Sequence, residues 1–441
     1  MKRLRAMCVA GVLAVSGCAA VAAAQAPSVV VLDRALAARA GALLGVREGA
    51  YLVTDAQGQA VALAAGEVLA IVEADWWNPE PGSSDVAAPA VGEGGGLMGG
   101  TDRSQRGVLE LTDGTRLVGT LAARDPENAD LVAWNHPALG RMVFALERVK
   151  RVDFGPEELM GGAGGAGGAR STRHADDQSA LPEAGDVVEL ANGDRLVGFV
   201  ERLGNQIVVR AGSGASAQLS TPDAHVVRSV RLANPPARAA GLMVWLRGGN
   251  TLRVSDLQAG GSDSARLVFE PAEGLSRNIN VRLDQYRAIV PRAERVVALA
   301  GLAVAAQKAA ADRLAPGALR VHTRTEDLLG AADIELPGPM TAEWVLPAGA
   351  RRLAGWLVMP AAAREWGDCV VRVSEVTGAG GAETTRVLRE GRLNAEKPWM
   401  TLAQGLGGTA GARLRVEVES GERGPIQDRV VLRRMLIAVG E

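Results

Sequence analysis

One stretch occurs twice in this chain and limits its folds more than any other feature. Residues 109–121 read Leu-Glu-Leu-Thr-Asp-Gly-Thr-Arg-Leu-Val-Gly-Thr-Leu, and residues 188–200 read Val-Glu-Leu-Ala-Asn-Gly-Asp-Arg-Leu-Val-Gly-Phe-Val. Asp113-Gly114 and Asn192-Gly193 stand between alternating apolar residues, which is the strongest short-range hairpin signal. Glycine supplies the positive φ of a tight primed turn, and Asp or Asn tolerates it. A glycine then recurs inside the second strand, at Gly119 and Gly198, where it marks a bulge or a sharp bend. Such a bend curls a small sheet towards a barrel. The stretch predicts small β-barrel modules and no chemistry of its own.

The chain has 441 residues, room for about three domains. Aromatic residues make up only 3 %, so the cores must be built from Leu, Val and Ala, and each of the eight Trp stands out. The 48 basic and 50 acidic residues balance to a net charge of −2, which argues against a nucleic-acid partner. Residues 1–26 read as a secretory signal: Lys2, Arg3 and Arg5 precede the short apolar run from Ala6 to Val15. Two processing routes stay open. Ala24-Gln25-Ala26 fits signal peptidase cleavage before Pro27, and Val15-Ser16-Gly17-Cys18 fits a lipobox with Cys18 lipidated. Either route takes the protein out of the cytoplasm, to the periplasm or the exterior, with an anchor if Cys18 is modified. No later segment reads as a transmembrane span. Of Cys8, Cys18 and Cys369, only Cys369 is certain to remain, and it reads as a buried strand thiol.

Residues 28–77 hold short apolar runs that read as a degenerate copy of the module or as a strand region that completes the next one, and they end on Trp76-Trp77, a barrel plug or a stacking platform. Residues 78–106, rich in Pro and Gly, read as a linker. Residues 107–154 give the first clear barrel, with five short strands. Its opening, Val-x-Leu-x-x-Gly and then Arg-Leu-Val-Gly-x-Leu, resembles the first half of the Sm-like fold; the second signature of that family is absent from 148–152, so its RNA binding is not carried over. Residues 155–185 form a second, Gly-rich linker, which includes His174, Asp176 and Asp177 as solvated polar residues. Barrels follow at 186–232 and 241–290. His225 falls on a strand of the former, and Val254 replaces the strand glycine in the latter. In the connector 291–316, Val296, Leu299, Leu302, Ala303 and Ala306 fall near helical spacing, which predicts a short helix over 294–313 or else an extended packing arm that straps the barrels to the last domain.

Residues 317–440 read as a β-sandwich with strands near 341–345, 353–358, 370–373, 385–388, 399–402, 414–418, 430–432 and 435–439. Ala342-Glu343-Trp344-Val345-Leu346-Pro347-Ala348-Gly349 leads into Leu353, with Val371-Arg372-Val373 and Leu414-Arg415-Val416-Glu417-Val418 later. A loop from Gly421 to Gly424 leads on to Asp428, and Arg320-Val321-His322-Thr323 stands upstream. This series resembles the carbohydrate-binding module first described on glycosyl hydrolases of family 98, NPCBM. The resemblance implies a jelly-roll-like sandwich and glycan binding.

Sugar sites use aromatic faces for stacking and polar groups for orientation. Trp344 and Trp356 read as core. Trp366, before Gly367-Asp368, and Trp399, after Pro398, read as ligand candidates, with Asp428 and Arg429 as polar complement. No serine elbow, zinc motif or marked carboxylate pair occurs, and no cofactor is called for. The sequence thus predicts a mainly β, exported, non-catalytic protein that binds polysaccharide or another glycan. The alternative is a structural protein of the cell envelope that binds other envelope proteins.

Overall fold

The computed structural model describes residues 26–77 except 48, 106–122, 130–154, 172–174 and 185–440, with short breaks at 205, 211–215, 221–225, 236, 238–239, 262, 273–274, 310–317, 324–326 and 379–382. The signal segment with Cys18, His225, Asp176 and Asp177 lie outside the described residues.

The architecture is mainly β, with multiple sheets. Its N-terminal region is one strand pattern used four times. Unit 1 comprises Ser28–Asp33, Ala38–Arg47, Ala50–Thr54, Ala60–Ala64 and Val68–Glu73. Unit 2 comprises Arg106–Leu111, Arg116–Leu121, Leu131–His136, Gly140–Ala145 and Val149–Phe154. Unit 3 comprises Asp186–Leu190, Arg195–Leu203, Gln206–Arg210, Ser216–Ser220 and Val227–Arg231. Unit 4 comprises Leu242–Leu246, Asn250–Val254, Asp256–Ala259, Ser264–Ala272, Leu275–Arg282 and Tyr286–Val290. In each, the strands before the last form an antiparallel meander, interrupted in unit 4 between Asn250–Val254 and Asp256–Ala259, and the last strand returns to the first, as Val152 does to Leu109 and Val230 to Val188. Among the described residues the last two strands of a unit do not pair with each other, so the sheets are curled but not shown closed.

The hairpin turns differ from the primed form in one respect. Gly114 and Gly193 have φ of 86° and 90°, while Asp113 and Asn192 do not enter the positive region. Leu111 N–H donates to Thr115 O, leaving a three-residue loop with only the glycine left-handed. The Asp and Asn side chains cap the loop instead: Asp113 Oδ1 accepts from Thr115 N–H at 2.9 Å, and Asn192 Oδ1 from Asp194 N–H at 3.0 Å.

The strand glycines answer to close approach. A Cβ on Gly119 would lie 2.2 Å from Asn135 O, and one on Gly198 would lie 2.4 Å from Arg210 O. Gly41 occupies the same place in unit 1, 2.2 Å from Thr54 O. Unit 4 has Val254 there, and its second strand breaks at Ser255 into two pieces.

The units meet through equivalent strands. The last strands of units 2 and 3 pair about Val152 and Val230, and those of units 1 and 4 about Ile71 and Ile289. Units 2 and 4 meet at the start of their second strands, Arg116 opposite Thr251. One apolar core runs through all four, with Phe144 of unit 2 edge-on to Phe269 of unit 4 at 6.3 Å.

The C-terminal region is a pair of sheets packed face to face. One joins Arg320–His322, Asp333–Pro337, Arg429–Val439, Ala350–Val358 and Trp399–Gly405; the other joins Val304–Ala309, Met340–Val345, Arg413–Ser420, Cys369–Thr377 and Thr384–Leu393. Trp344, Leu353, Leu357, Val371, Val416 and Leu432 fill the space between them.

Several expectations need correction. Of the two readings of 294–313 the helix is wrong and the extended arm holds: the strands Val296–Ala298 and Val304–Ala309 pair with Arg429–Val439 and Met340–Val345. Alanine's helix preference is weak, and covering two open sheet edges outweighs it here. Thr172–His174, inside the expected linker, pairs with Arg320–His322. The separate strands near 430–432 and 435–439 are one strand, in which Arg434 takes a left-handed φ of 52° where the register shifts opposite Gly355.

Trp76 and Trp77 belong to a third core that joins units 1 and 4 to the C-terminal sheets through Leu32, Val72, Met243, Val290, Leu328 and Leu436. They are buried at a junction and offer no open stacking face. Trp356 is no part of the core between the sheets either. It stands three residues from Leu353, an odd spacing that turns it to the outer face, edge-on to Trp77 at 6.5 Å.

Candidate functional site

Six strand ends share one end of the C-terminal sheets. Val358, at the close of its strand, faces Trp399 on one side and Val431 on the other. Across the core Cys369 faces Leu393 and Ser420. The connections 359–368, 394–398 and 421–428 therefore gather at this end, and all four residues singled out as ligand candidates lie on them or at the strand starts they lead into.

Trp366 lies in the turn after the short 3₁₀ segment Ala361–Ala363 and is 53 % exposed. Trp399 opens its strand and is 37 % exposed, with its ring edge-on to Trp356 at 5.7 Å. A contact chain links the two neighbourhoods. Met359 N–H donates to Pro398 O at 2.7 Å, and the Met359 Cε lies 3.0 Å from where a Gly367 Cβ would stand. Arg429 is exposed. Asp428 is only 1 % exposed, and its Oδ1 accepts the Asp368 N–H at 3.2 Å, so it ties two loops together.

Two residues that sequence reasoning passed over hold this end rigid. Asp368 is buried and takes a bidentate pair from Arg392, Nε to Oδ1 at 2.6 Å and Nη2 to Oδ2 at 2.7 Å. Arg392 also reaches Glu422 at 3.0 Å. These hydrogen bonds hold the Asp368 carboxyl below its ordinary range against the opposing effect of burial, and they push the Arg392 guanidinium up. Gly421 N–H donates to Asp368 O at 2.6 Å, and a Cβ on Gly421 would lie 2.5 Å from the Asp368 Cγ. Arg423 Nη1 donates to Glu365 O at 3.2 Å, beside Trp366. The legible signal was the Gly367-Asp368 pair directly before an apolar strand; its partner Arg392 lies on another strand and carries no local mark.

A cleft of about 460 Å³ lies elsewhere, between units 2 and 4 and the segment around 327–332, lined by Glu110, Arg116, Trp245, Arg287 and Asp327. Two of its cations serve the unit contacts: Arg116 Nη1 donates to Gly249 O at 3.0 Å, and Arg287 pairs with Glu73 at 3.0 Å. His322 is held by Glu335 across its strand pair at 2.8 Å. Among the described residues no group of three His, Cys, Asp or Glu is placed to hold a metal ion, and no helix is long and apolar enough to cross a membrane.

No family model matches the chain, and no curated protein matches it. Among solved structures it is similar to the CBM51-2 and INT domains of Clostridium perfringens ZmpB in complex with GlcNAc, at 11 % identity and a TM-score of 0.25, over 44 % of this chain and 42 % of that one. The chain thus spans about two fifths of that structure. A CBM51 from Clostridium perfringens GH95 in complex with methyl-galactose matches at 9 % identity and a TM-score of 0.25, over 32 % of this chain and 99 % of that one. The tandem CBM51 modules of a family 98 glycoside hydrolase from Streptococcus pneumoniae match at 7 % identity and a TM-score of 0.25, over 63 % of this chain and 95 % of that one. The likeness is a partial one to carbohydrate-binding-module folds in general, and at these scores it carries no argument about a ligand.

Proposed function

We propose that this is an exported, non-catalytic protein that binds carbohydrate at the loop end of its C-terminal sheets. In this reading those sheets are a jelly-roll-like sandwich of the NPCBM kind, and the four units are small closed barrels that space or present it. One observation carries the proposal. Two half-exposed indoles, Trp366 and Trp399, stand at one end of the sheets on loops pinned by Asp368, Arg392 and Asp428. A pinned indole stacks on a sugar face at little entropic cost. Arg429 supplies an exposed donor at the same end.

Calorimetric titration of the full chain with soluble oligosaccharides, and retention on insoluble polysaccharides, test this. Binding is expected, and Trp366→Ala or Trp399→Ala weakens it at least about tenfold, close to 1.4 kcal/mol. Absence of binding to every glycan, or binding unchanged in both variants, sinks the reading.

The second reading, a structural protein of the cell envelope with protein partners, draws on a different observation: unit 3 exposes Val197 and Phe199 side by side on one strand. We place the protein outside the cytoplasm under either reading, on the basic start and apolar run of residues 1–26. Intact mass distinguishes a start at Pro27 from a lipidated Cys18, and a full-length chain retained in the cytoplasm would overturn export.

A further inference from the structure

The contact between units 2 and 4 has an internal twofold relation. Aligning the turn glycines Gly114, Gly193 and Gly249 makes Thr115, Asp194 and Asn250 equivalent, then Arg116, Arg195 and Thr251, then Val118, Val197 and Arg253. Arg116 faces Thr251, its own equivalent. Val118 N–H donates to Asn250 Oδ1 at 2.9 Å, and Arg253 N–H donates to Thr115 Oγ1 at 3.2 Å. Each second strand thus gives the same N–H to the same side-chain position of the other, which is the pattern of an isologous dimer built within one chain.

The contacts at Val152 with Val230 and at Ile71 with Ile289 are isologous as well. The units therefore run 3–2–4–1, last-strand contacts alternating with a second-strand contact. The two ends of this row are the second-strand faces of units 3 and 1. In unit 1 the equivalent residues are Ala38, Arg39, Ala40 and Ala42, which offer little to bury. In unit 3 the face is built for contact. Asp113 and Thr115 are buried and Arg116 half-buried in unit 2, whereas their equivalents Asn192, Asp194 and Arg195 are exposed in unit 3. Val197 is 44 % and Phe199 63 % exposed, on the same side of the strand. Val197 stands opposite Val187 in the register that Val118 keeps with Val108, so its N–H leaves the sheet in the direction that Val118 uses to reach unit 4.

We infer that the second-strand face of unit 3 is a homodimer interface, occupied by the same face of a second copy of this chain. The Val197 N–H of each copy donates to the Asp194 carboxylate of the other, in place of the Thr115 and Asn250 acceptors. Arg195 follows Arg116, whose guanidinium reaches the turn carbonyl across the contact, and it offsets the facing Asp194. In this register Arg195 meets its own copy at the twofold axis, and Val197 and Phe199 lie against the Asn192-Gly193 turn of the other chain. Asp194 and Arg195 make the face self-complementary in charge. A single hairpin face buries less than the roughly 1,200–2,000 Å² of a standard interface, so the dimer forms in the micromolar range.

Sedimentation or light scattering of the full chain reads this directly. The expected mass doubles as concentration rises to about 100 µM. Phe199→Asp, at an exposed position that leaves the melting curve unchanged, keeps the chain monomeric. Asp194→Arg and Arg195→Asp are each monomeric alone, and mixing the two restores a 1:1 dimer, because each then presents the charges that the other lacks. A wild-type chain monomeric throughout this range overturns the inference. So does a dimer indifferent to Phe199→Asp, or one that mixing the charge variants fails to restore.

Discussion

Cys369 shows what position does to a reactive group. It opens a central strand, wholly buried, and burial first and the nearby Asp428 and Asp368 carboxylates second push its thiol up to about 12. At pH 8 only about one thiol in ten thousand is then ionised, and the thiolate is the species that reacts. The native protein should therefore leave Cys369 unalkylated by iodoacetamide at pH 8 for hours, and guanidinium should expose it. Mass analysis of the peptide that carries Cys369 reads the outcome. Equal labelling in native and denatured protein would show an accessible thiol instead. The same scale separates the tryptophans. Trp344 and Trp356 look alike in sequence, yet strand parity sends Trp344 between the sheets and Trp356 to the outer face against Trp77.

At the scale of the element, the second strand of units 1, 2 and 3 turns on one missing Cβ. Gly119→Val puts carbon where Asn135 O stands 2.2 Å and the Trp134 Nε1 2.6 Å from the ideal Cβ position. Backbone cannot yield there as a long side chain could, so a loss of about 1–3 kcal/mol or more is expected by chemical denaturation. Gly45→Ala, with nothing within 4 Å of its Cβ, is the control and should stay within about 0.5 kcal/mol. Comparable losses in both would refute the close-approach account. The hairpins were legible because Asp-Gly and Asn-Gly act locally. Unit 1 was harder to read because its only shared mark is Gly41 inside an alanine run. The return of each last strand to the first, and the choice of the strands Val296–Ala298 and Val304–Ala309 over a helix, were not legible, because long-range pairing decided them and local preference pointed elsewhere. At the candidate site the indoles were visible in sequence, while the Asp368–Arg392 clamp joined residues 24 apart, one in a loop and one on a strand.

At the scale of the whole molecule, the cores do not respect the repeats. Units 1 to 4 share one apolar cluster, and no described unit keeps a core to itself. The C-terminal sheets are joined to units 1 and 4 by the third cluster, where Trp76 and Trp77 pack 6.0 Å apart and Arg434 stands 5.4 Å above the Trp76 ring. Arg434 reaches that ring from the left-handed residue of a long strand, so the strand's irregularity and the junction are one feature. Removing a buried Trp side chain typically costs about 3–5 kcal/mol, and a cation over the ring adds to that. Shared cores imply that the units and the C-terminal sheets melt together. Calorimetry of the full chain should give one transition, coincident with the tryptophan fluorescence change. The double variant Trp76→Ala, Trp77→Ala weakens the junction and little of the core between the C-terminal sheets, whose Trp344, Leu353 and Leu432 are untouched. It should split the curve in two, with the C-terminal sheets at the higher temperature, since their core is continuous between two full sheets. A wild-type chain that already melts in two steps would mean that the junction transmits too little energy to couple its sides.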